Sequence, residues 1–192
     1  TMSNNKNNFI QENAKSLAFI LGGIVVLVLL YIGYQQLYLG PREKTAADQL
    51  YKAQQYATID SLQKRAIEGD GSFPGFKEIA EEYSNTKSAN IANAYLGGLY
   101  LRQGHYEEAI KALEKYSETG SDILDPLVIG LLGDAYSELK DYKKAASYYK
   151  NAADKSSNSF TAPLMLKKLG LVCEAQQEYK RALDAYKKIK FE

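Results

Sequence analysis

The feature that most constrains the fold is a recurrence of small residues at a fixed interval in the second half of the chain. Three glycines are separated by 36 and 37 residues, and three alanines recur at the same intervals. The six recurring positions are Gly97, Gly133, Gly170, Ala109, Ala145 and Ala182. Self-similarity at such a period is typical of arrays in which one pair of helices stacks on the next.

Small side chains suit the place where the two helices of one unit cross. A larger side chain at the glycine or at the alanine would push the two backbones apart. We therefore predict that these six residues pack the units together. Pro126 and Pro163 are predicted at the first helical position of the second and third units, where a missing N–H has no cost. Residues 120–121 and 156–159 are predicted to end the preceding helices.

A leucine before each glycine and a tyrosine three residues before each alanine complete the repeated pattern. This pattern resembles the tetratricopeptide repeat, which carries Leu-Gly, an aromatic residue and Ala at fixed offsets within about 34 residues. The resemblance implies an all-α fold, a right-handed superhelix of helix-turn-helix pairs, with repeats at 90–125, 126–162 and 163–192. Residues 40–89 are predicted to form a juncture, a long helix over 45–67 and a degenerate first repeat, because terminal units are often atypical.

An apolar segment precedes the repeats. No charged residue occurs from Ser16 to Gly40, and a helix of about 20 apolar residues spans a hydrocarbon core roughly 30 Å thick. We predict a transmembrane helix over 17–39 after a polar tail of residues 1–16. A cleaved signal peptide is the alternative, although its apolar region of about 7 to 15 residues would be shorter than this run. The tyrosines predicted at the membrane interface are Tyr31, Tyr34 and Tyr38.

Charge and residue chemistry argue against several classes of function. The 24 Lys and Arg residues are balanced by 23 Asp and Glu residues, which leaves no basic field for nucleic acid. His105 and Cys173 are the single histidine and cysteine, and we interpret them as a solvated turn residue and a buried thiol. The loop at 68–75 matches neither a calcium loop nor a phosphate loop and is predicted to be a rigid turn, with a partner contact as the alternative. We predict no enzyme activity, no cofactor, no metal and no small-molecule substrate.

In repeats of this class, residues at fixed positions of the first helix line the inner face, along which ligands lie. The candidate partner-binding residues on this face are Ile91, Ala94, Gly98, Leu101, Arg102, Leu127, Gly130, Asp134, Ser137, Glu138, Lys167, Leu171 and Glu174. The Lys and Asn clamp that holds the C-terminal carboxylates of chaperones is absent from the corresponding positions. The face is predicted to bind an extended or helical peptide through side-chain packing, with contacts on the convex side as the alternative.

The order of elements adds a narrower resemblance. The apolar segment, the sequence Tyr-Leu-Gly-Pro-Arg-Glu-Lys at 38–44, the loop Gly-Asp-Gly-Ser-Phe-Pro-Gly at 69–75 and the three repeats resemble YfgM-like membrane-anchored tetratricopeptide-repeat proteins of the Bacteroidetes type. The resemblance implies a single-pass inner-membrane protein with a cytoplasmic N-terminus and a periplasmic repeat domain. It also implies an ancillary subunit that links the Sec translocon to periplasmic chaperones or emerging clients.

Orientation and partner stay open on the residues alone. Lys6 and Lys15 precede the apolar segment while Arg42, Lys44 and Lys52 follow it, so the flanking charges choose no side. The alternative function is a scaffold or receptor subunit of another membrane-associated machine for protein secretion, import or envelope assembly. The oligomeric state is not indicated by the sequence.

Overall fold

The computed structural model describes residues 13–156 and 158–191. The predicted polar tail lies for the most part outside these residues, as do Ser157 and Glu192. The chain divides into two compact units, residues 1–45 and 46–192. No strand occurs in the described ranges, so the predicted all-α fold is confirmed.

The first unit contains the apolar helix. Helix α1 spans Ala14–Gly33 and none of its residues is buried. In the described part of the chain, one helical stretch, Ala14–Ala57, is long and apolar enough to cross a membrane, and its most apolar window is wholly unburied. A membrane anchor and a signal sequence both have these properties.

A π-helical segment, Tyr34–Leu39, follows α1, and helix α2 then spans Gly40–Ala57. The N–H of Gly40 bonds to the carbonyl of Gln35, five residues back, as a π turn requires. Pro41 comes next and has no N–H for the ladder, and its ring crowds the turn before it. The π turn therefore lies directly before Pro41, and proline is the residue that an α-helix accommodates least well.

The second unit is built from short helices joined by tight turns. After α2 and a 3₁₀ turn at Asp60–Leu62, the helices are α3 (Gln63–Glu68), α4 (Phe76–Glu82), α5 (Lys87–Arg102), α6 (Tyr106–Glu114), α7 (Leu124–Glu138), α8 (Tyr142–Lys155), α9 (Thr161–Ala175) and α10 (Tyr179–Phe191). Helices α5 and α6, α7 and α8, and α9 and α10 pack as consecutive pairs, and each pair packs on the next. Their first helices begin at Lys87, Leu124 and Thr161, two or three residues before the predicted repeat starts at 90, 126 and 163.

The long helix predicted over 45–67 is wrong. Helix α2 ends at Ala57, and Ile59 adopts an extended conformation with φ −111° and ψ 114°. Thr58 and Ile59 are β-branched, which disfavours helix, and the hydroxyl of Thr58 donates to the carbonyl of Gln55 at 2.8 Å. The chain therefore turns before α3 instead of continuing straight.

The predicted position of the prolines is also wrong by two residues. Helix α7 begins at Leu124 and α9 at Thr161, so Pro126 and Pro163 are third in their helices. The first N–H groups of a helix have no intrahelical partner, so proline is tolerated throughout the first turn. Side chains cap both helices, since Ser121 Oγ accepts from the N–H of Leu124 at 3.0 Å and Asn158 Oδ1 accepts from that of Thr161 at 2.8 Å.

The recurring glycines lie against the second helix of their own pair. A Cβ atom built on Gly97 would lie closer than 3.0 Å to Leu113, and one on Gly170 would lie that close to the ring of Tyr186. On Gly133 it would be 2.6 Å from Tyr149 Cε1. The recurring alanines are buried in the same junctions: Ala109, Ala145 and Ala182. Each first helix therefore approaches its partner to a distance that leaves no room for a side chain.

The segment predicted to form a degenerate first repeat packs against α5. The fully buried Phe76 of α4 stacks on Tyr95 of α5, with ring centroids 4.9 Å apart. Four residues of α2 belong to the same buried cluster, namely Ala46, Leu50, Ala53 and Ala57. This segment thus presents apolar side chains to α5 even though its sequence departs from the repeated pattern.

Candidate functional site

An apolar groove of about 450 Å³ lies between the end of α2, helix α5 and helix α7. We call it the apolar groove. Its lining residues are Ala57, Thr58, Ala94, Tyr95, Gly98, Leu99, Arg102, Leu124, Leu127, Val128 and Leu131. A concave surface lined by aliphatic and aromatic side chains with one charged group has the composition of a ligand site.

Helical spacing explains why these side chains meet. Leu124, Leu127 and Leu131 recur at intervals of three and four, so they form one stripe along α7. Opposite them, α5 presents the small residues Ala94 and Gly98. A Cβ atom on Gly98 would be 3.9 Å from Leu131 Cδ1, an ordinary contact distance, so a methyl group would fit there without displacing a neighbour.

A smaller polar pocket of about 300 Å³ adjoins the groove. The two sites share three lining residues: Gly98, Arg102 and Leu131. The polar pocket adds Leu101, Asp134, Ser137, Glu138 and Tyr149. The surface formed by α5 and α7 therefore changes from apolar to polar, and Arg102 lines both parts.

Asp134 in the polar pocket is engaged within the protein. Its carboxylate accepts from the hydroxyl of Tyr149 at 2.7 Å and from Lys168 Nζ at 2.7 Å to each oxygen. Burial, together with the hydrogen bond to Asp134, raises the pKa of Tyr149 well above its usual range. Since Lys168 belongs to α9, this cluster joins the second repeat to the third and neutralises Asp134.

The predicted binding residues divide into groups. Four of them line the apolar groove: Ala94, Gly98, Arg102 and Leu127. Leu101, Asp134, Ser137 and Glu138 line the polar pocket, together with Gly98 and Arg102. Ile91 lines a separate polar depression beside the start of α5. The exposed Lys167, Leu171 and Glu174 lie on α9, outside all three.

Gly130 has a different role from the other predicted binding residues. It is buried, and a Cβ atom on it would be 2.5 Å from the sulfur of Met165 on α9. It therefore lets the first helices of the second and third repeats approach one another. A glycine that contacts the next repeat has no surface to offer a ligand.

Sequence reasoning missed several residues of the apolar groove. It is also lined by Tyr95, Leu124, Val128 and Leu131. The helical spacing of the last three residues along α7 could have indicated that they share a face. Ala57 and Thr58 had no such signal, because they belong to the degenerate first repeat. Their place in the groove depends on the end of α2, which was predicted ten residues too late.

The single histidine and cysteine lie apart from the groove. His105 is exposed and directly precedes α6. Cys173 is fully buried, and burial raises the pKa of its thiol. Among the described residues, no group of three or more His, Cys, Asp or Glu side chains is arranged to hold a metal ion.

The loop at 68–75 is fixed by its own hydrogen bonds. The Asp70 carboxylate accepts from the backbone N–H of Ser72 at 3.0 Å and from the Ser72 hydroxyl at 2.7 Å. The hydroxyl and N–H of Ser72 lower the pKa of Asp70. Gly69 has φ +83° and Gly71 has φ +84°, a region that favours glycine. The side chains and backbone therefore form a closed turn.

Aromatic and polar side chains follow the apolar helix. The rings of Tyr34 and Tyr38 stack with centroids 5.4 Å apart, and the guanidinium of Arg42 lies 5.3 Å from the centroid of Tyr38. Gln35 Nε2 donates to the hydroxyl of Tyr31 at 3.1 Å. The exposed tyrosines have the amphipathic character that suits a boundary between lipid and water.

Residues 73–171 match the family model of a tetratricopeptide repeat-like domain. The match covers 99 of the 192 residues and extends from the loop before α4 into α9. No curated protein matches the chain. The matched segment contains α5 and α7, which form two walls of the apolar groove, and all residues that line the polar pocket.

Proposed function

The chain belongs to the family of tetratricopeptide repeat-like domains, and on this premise we propose that it binds a partner protein in the apolar groove while anchored in a membrane. The observation that carries this proposal is the groove itself. It is open, it is lined almost entirely by carbon, and Tyr95 on its wall is 39% exposed. Stacked helix pairs of this kind present such inner surfaces to peptide segments of other proteins.

We propose that α1 is retained as a membrane anchor. Its apolar side chains are exposed on every side, and transferring apolar surface from water into lipid is favourable by roughly 25 cal/mol per Å². The stacked tyrosines and Arg42 would then lie at the headgroup level. Helix α1 has 20 residues, which is about the length that a helix needs to span the hydrocarbon core of a bilayer.

The anchor is tested by alkaline carbonate extraction of membranes that contain the full chain. We expect the chain to stay in the membrane pellet, because removing α1 from lipid is unfavourable. A variant with Val26→Arg and Leu29→Arg should become extractable, since each charge near the bilayer centre costs about 3 kcal/mol. The matched control carries Tyr51→Arg and Ile59→Arg, at exposed sites outside the apolar helix. Extraction of the unaltered chain, or a mature form cleaved after α1, would contradict the anchor.

We further propose that the protein is an ancillary subunit of the Sec translocon in the inner membrane. In this arrangement the N-terminus is cytoplasmic and the repeat domain is periplasmic, where it holds chaperones or emerging clients. The support is the resemblance of the juncture and loop to YfgM-like proteins. A role in another secretion, import or envelope assembly machine is the alternative.

Purification of the full chain from native membranes after chemical crosslinking tests the choice between these machines. We expect peptides of translocon components and periplasmic chaperones to be linked to the repeat domain. Leu131→Asp should reduce their recovery roughly tenfold, because it places a charge in the apolar wall. Leu139→Asp is the control, since Leu139 follows α7 and is 39% exposed outside the groove. Partners of another envelope machine alone would refute the translocon assignment.

A further inference from the structure

Arg102 is the one charged side chain among the residues that line the apolar groove. Its Nη2 donates to the carbonyl oxygen of Ala57 at 3.4 Å, a long and therefore weak hydrogen bond. Among residues 13–156 and 158–191, no carboxylate forms an ion pair with it. Since a guanidinium has five N–H donors, Arg102 retains donors that a ligand can use.

The acidic groups in the adjoining polar pocket accept hydrogen bonds from side chains other than Arg102. Asp134 is paired with Lys168 and accepts from the hydroxyl of Tyr149. Glu138 accepts a hydrogen bond from the hydroxyl of Tyr106 at 3.3 Å. Because Arg102 forms no ion pair among the described residues, its guanidinium at the boundary between the apolar groove and the polar pocket is complementary to an anionic group that a ligand brings.

The size of the groove limits what can fill it. From Leu124 to Leu131 the α7 wall extends roughly 10 Å, at 1.5 Å per residue. An extended peptide advances about 3.3 Å per residue, so roughly three residues fit along this wall. Alternate side chains of an extended peptide point the same way, which places two of those three against the leucines. Gly98 and Ala94 have the smallest side chains on the α5 wall, which allows a peptide to approach α5 closely.

Resting on the proposed function, we propose that the ligand of the apolar groove is a short extended segment of a partner protein with two alternate apolar side chains and, two residues after the second, a carboxylate side chain on the same face. The apolar side chains contact Leu127 and Leu131. The carboxylate pairs with Arg102 at the end of the groove. Arginine binds carboxylates through two parallel N–H donors, which adds orientation to the attraction.

Three synthetic peptides test this assignment, each labelled with fluorescein and titrated with the full chain in lipid nanodiscs. The first is Gly-Ser-Leu-Ser-Leu-Ser-Asp-Gly, in which both Leu side chains and the Asp side chain share one face, and its twins carry Asn or Lys in place of Asp. We expect the Asp peptide to bind roughly three- to tenfold more tightly than the Lys peptide, the range of a partly exposed ion pair with good geometry. The preference should shrink as salt is raised from about 50 mM to 500 mM.

Variants of Arg102 separate charge from packing. Arg102→Met keeps an unbranched stem and should bind all three peptides alike, whereas Arg102→Glu should prefer the Lys peptide. Lys111→Glu is the matched control, because Lys111 is an exposed residue of α6 outside the groove and should leave the preference unchanged. Absence of binding by the Asp peptide, or equal binding of Asp and Lys peptides by the unaltered chain, would overturn the carboxylate assignment.

The Leu131→Asp variant distinguishes this failure from failure of the proposed function. If the three peptides bind the unaltered chain equally and Leu131→Asp weakens them all, the groove binds peptides without reading a carboxylate. If Leu131→Asp changes neither peptide binding nor recovery of partners from membranes, the groove is not the binding site. That second result would overturn both the peptide assignment and the proposed function.

Discussion

Gly97→Ala is expected to destabilise the repeat domain by roughly 2 kcal/mol, because overpacking costs about 1–3 kcal/mol and can exceed the helix propensity that alanine adds. The new methyl group would overlap Leu113, whose Cγ is a branch point and not the end of a flexible chain. Leu113 is itself 1% exposed, so it has no free space to move into. Urea unfolding of the full chain in detergent micelles, followed by tyrosine fluorescence, measures the loss.

Gly98→Ala is the matched control for this change. Gly98 is the next residue of the same helix, and its new methyl group would meet only Leu131 at 3.9 Å. We expect it to be neutral or to stabilise by up to about 1 kcal/mol through helix propensity. In a Leu113→Ala background the cost of Gly97→Ala should fall, because the overlapping atoms are gone. Equal effects of Gly97→Ala and Gly98→Ala would refute the close crossing of α5 and α6.

Asp125→Ala is expected to cost roughly 2–4 kcal/mol, since it removes a buried acceptor of several hydrogen bonds. The carboxylate accepts from the hydroxyl of Tyr116 at 2.6 Å, and from the backbone N–H groups of Thr119 at 2.9 Å, Gly120 at 2.7 Å and Ser121 at 3.1 Å. Asp125 is 5% exposed and is the second residue of α7, directly after the segment that joins α6 to α7. The same urea titration measures its effect.

The pH dependence of stability gives a separate test of this cluster. Burial acts to raise the pKa of Asp125, but the hydrogen bonds from Thr119 and Tyr116 outweigh it and lower the pKa. A lowered pKa contributes stability above the unfolded value of about 3.9 that is lost as pH falls through the folded value. The difference between the unaltered chain and Asp125→Ala should therefore shrink below about pH 4. A difference that is constant from pH 7 to pH 3 would contradict the charged network.

Tyr116 extends the pH dependence to the alkaline side. Burial, together with the hydrogen bond to Asp125, raises its pKa to about 12. The folded state then keeps the phenol protonated where the unfolded chain releases its proton, so stability falls as pH rises from about 10 towards 12. Asp125→Ala should weaken this alkaline loss, because the hydrogen bond that holds the phenol proton is gone.

The repeated helix pairs could be predicted because their spacing follows from contact geometry. Gly97, Gly133 and Gly170 lie where a side chain would strike the second helix, and no other residue fits that place without movement. The segment at residues 40–89, which precedes the three helix pairs, was predicted less well. Its helices are held by Phe76 stacking on Tyr95 and by Ala46, Leu50, Ala53 and Ala57 of α2, whose spacing is that of a helix but which do not follow the interval of 36 or 37 residues that marks the other pairs.

The binding face was harder to predict than the fold. Gly130 has the position of a groove residue but is covered by Met165, because a long side chain of the next repeat reaches over it. Asp134 resembles a ligand contact in the sequence, yet Lys168 and Tyr149 already engage it. Both outcomes depend on neighbouring side chains that a repeat alignment does not specify.

Site-specific photocrosslinking in intact membranes tests most directly whether the apolar groove binds a protein. Benzoylphenylalanine replaces either Tyr95, which lines the groove, or Tyr51, which is 63% exposed on α2 and does not line it. We expect discrete protein adducts from position 95 that disappear with Leu131→Asp, and none from position 51. Adducts from position 51 alone, or adducts from position 95 that persist with Leu131→Asp, would show that partners bind elsewhere on the domain.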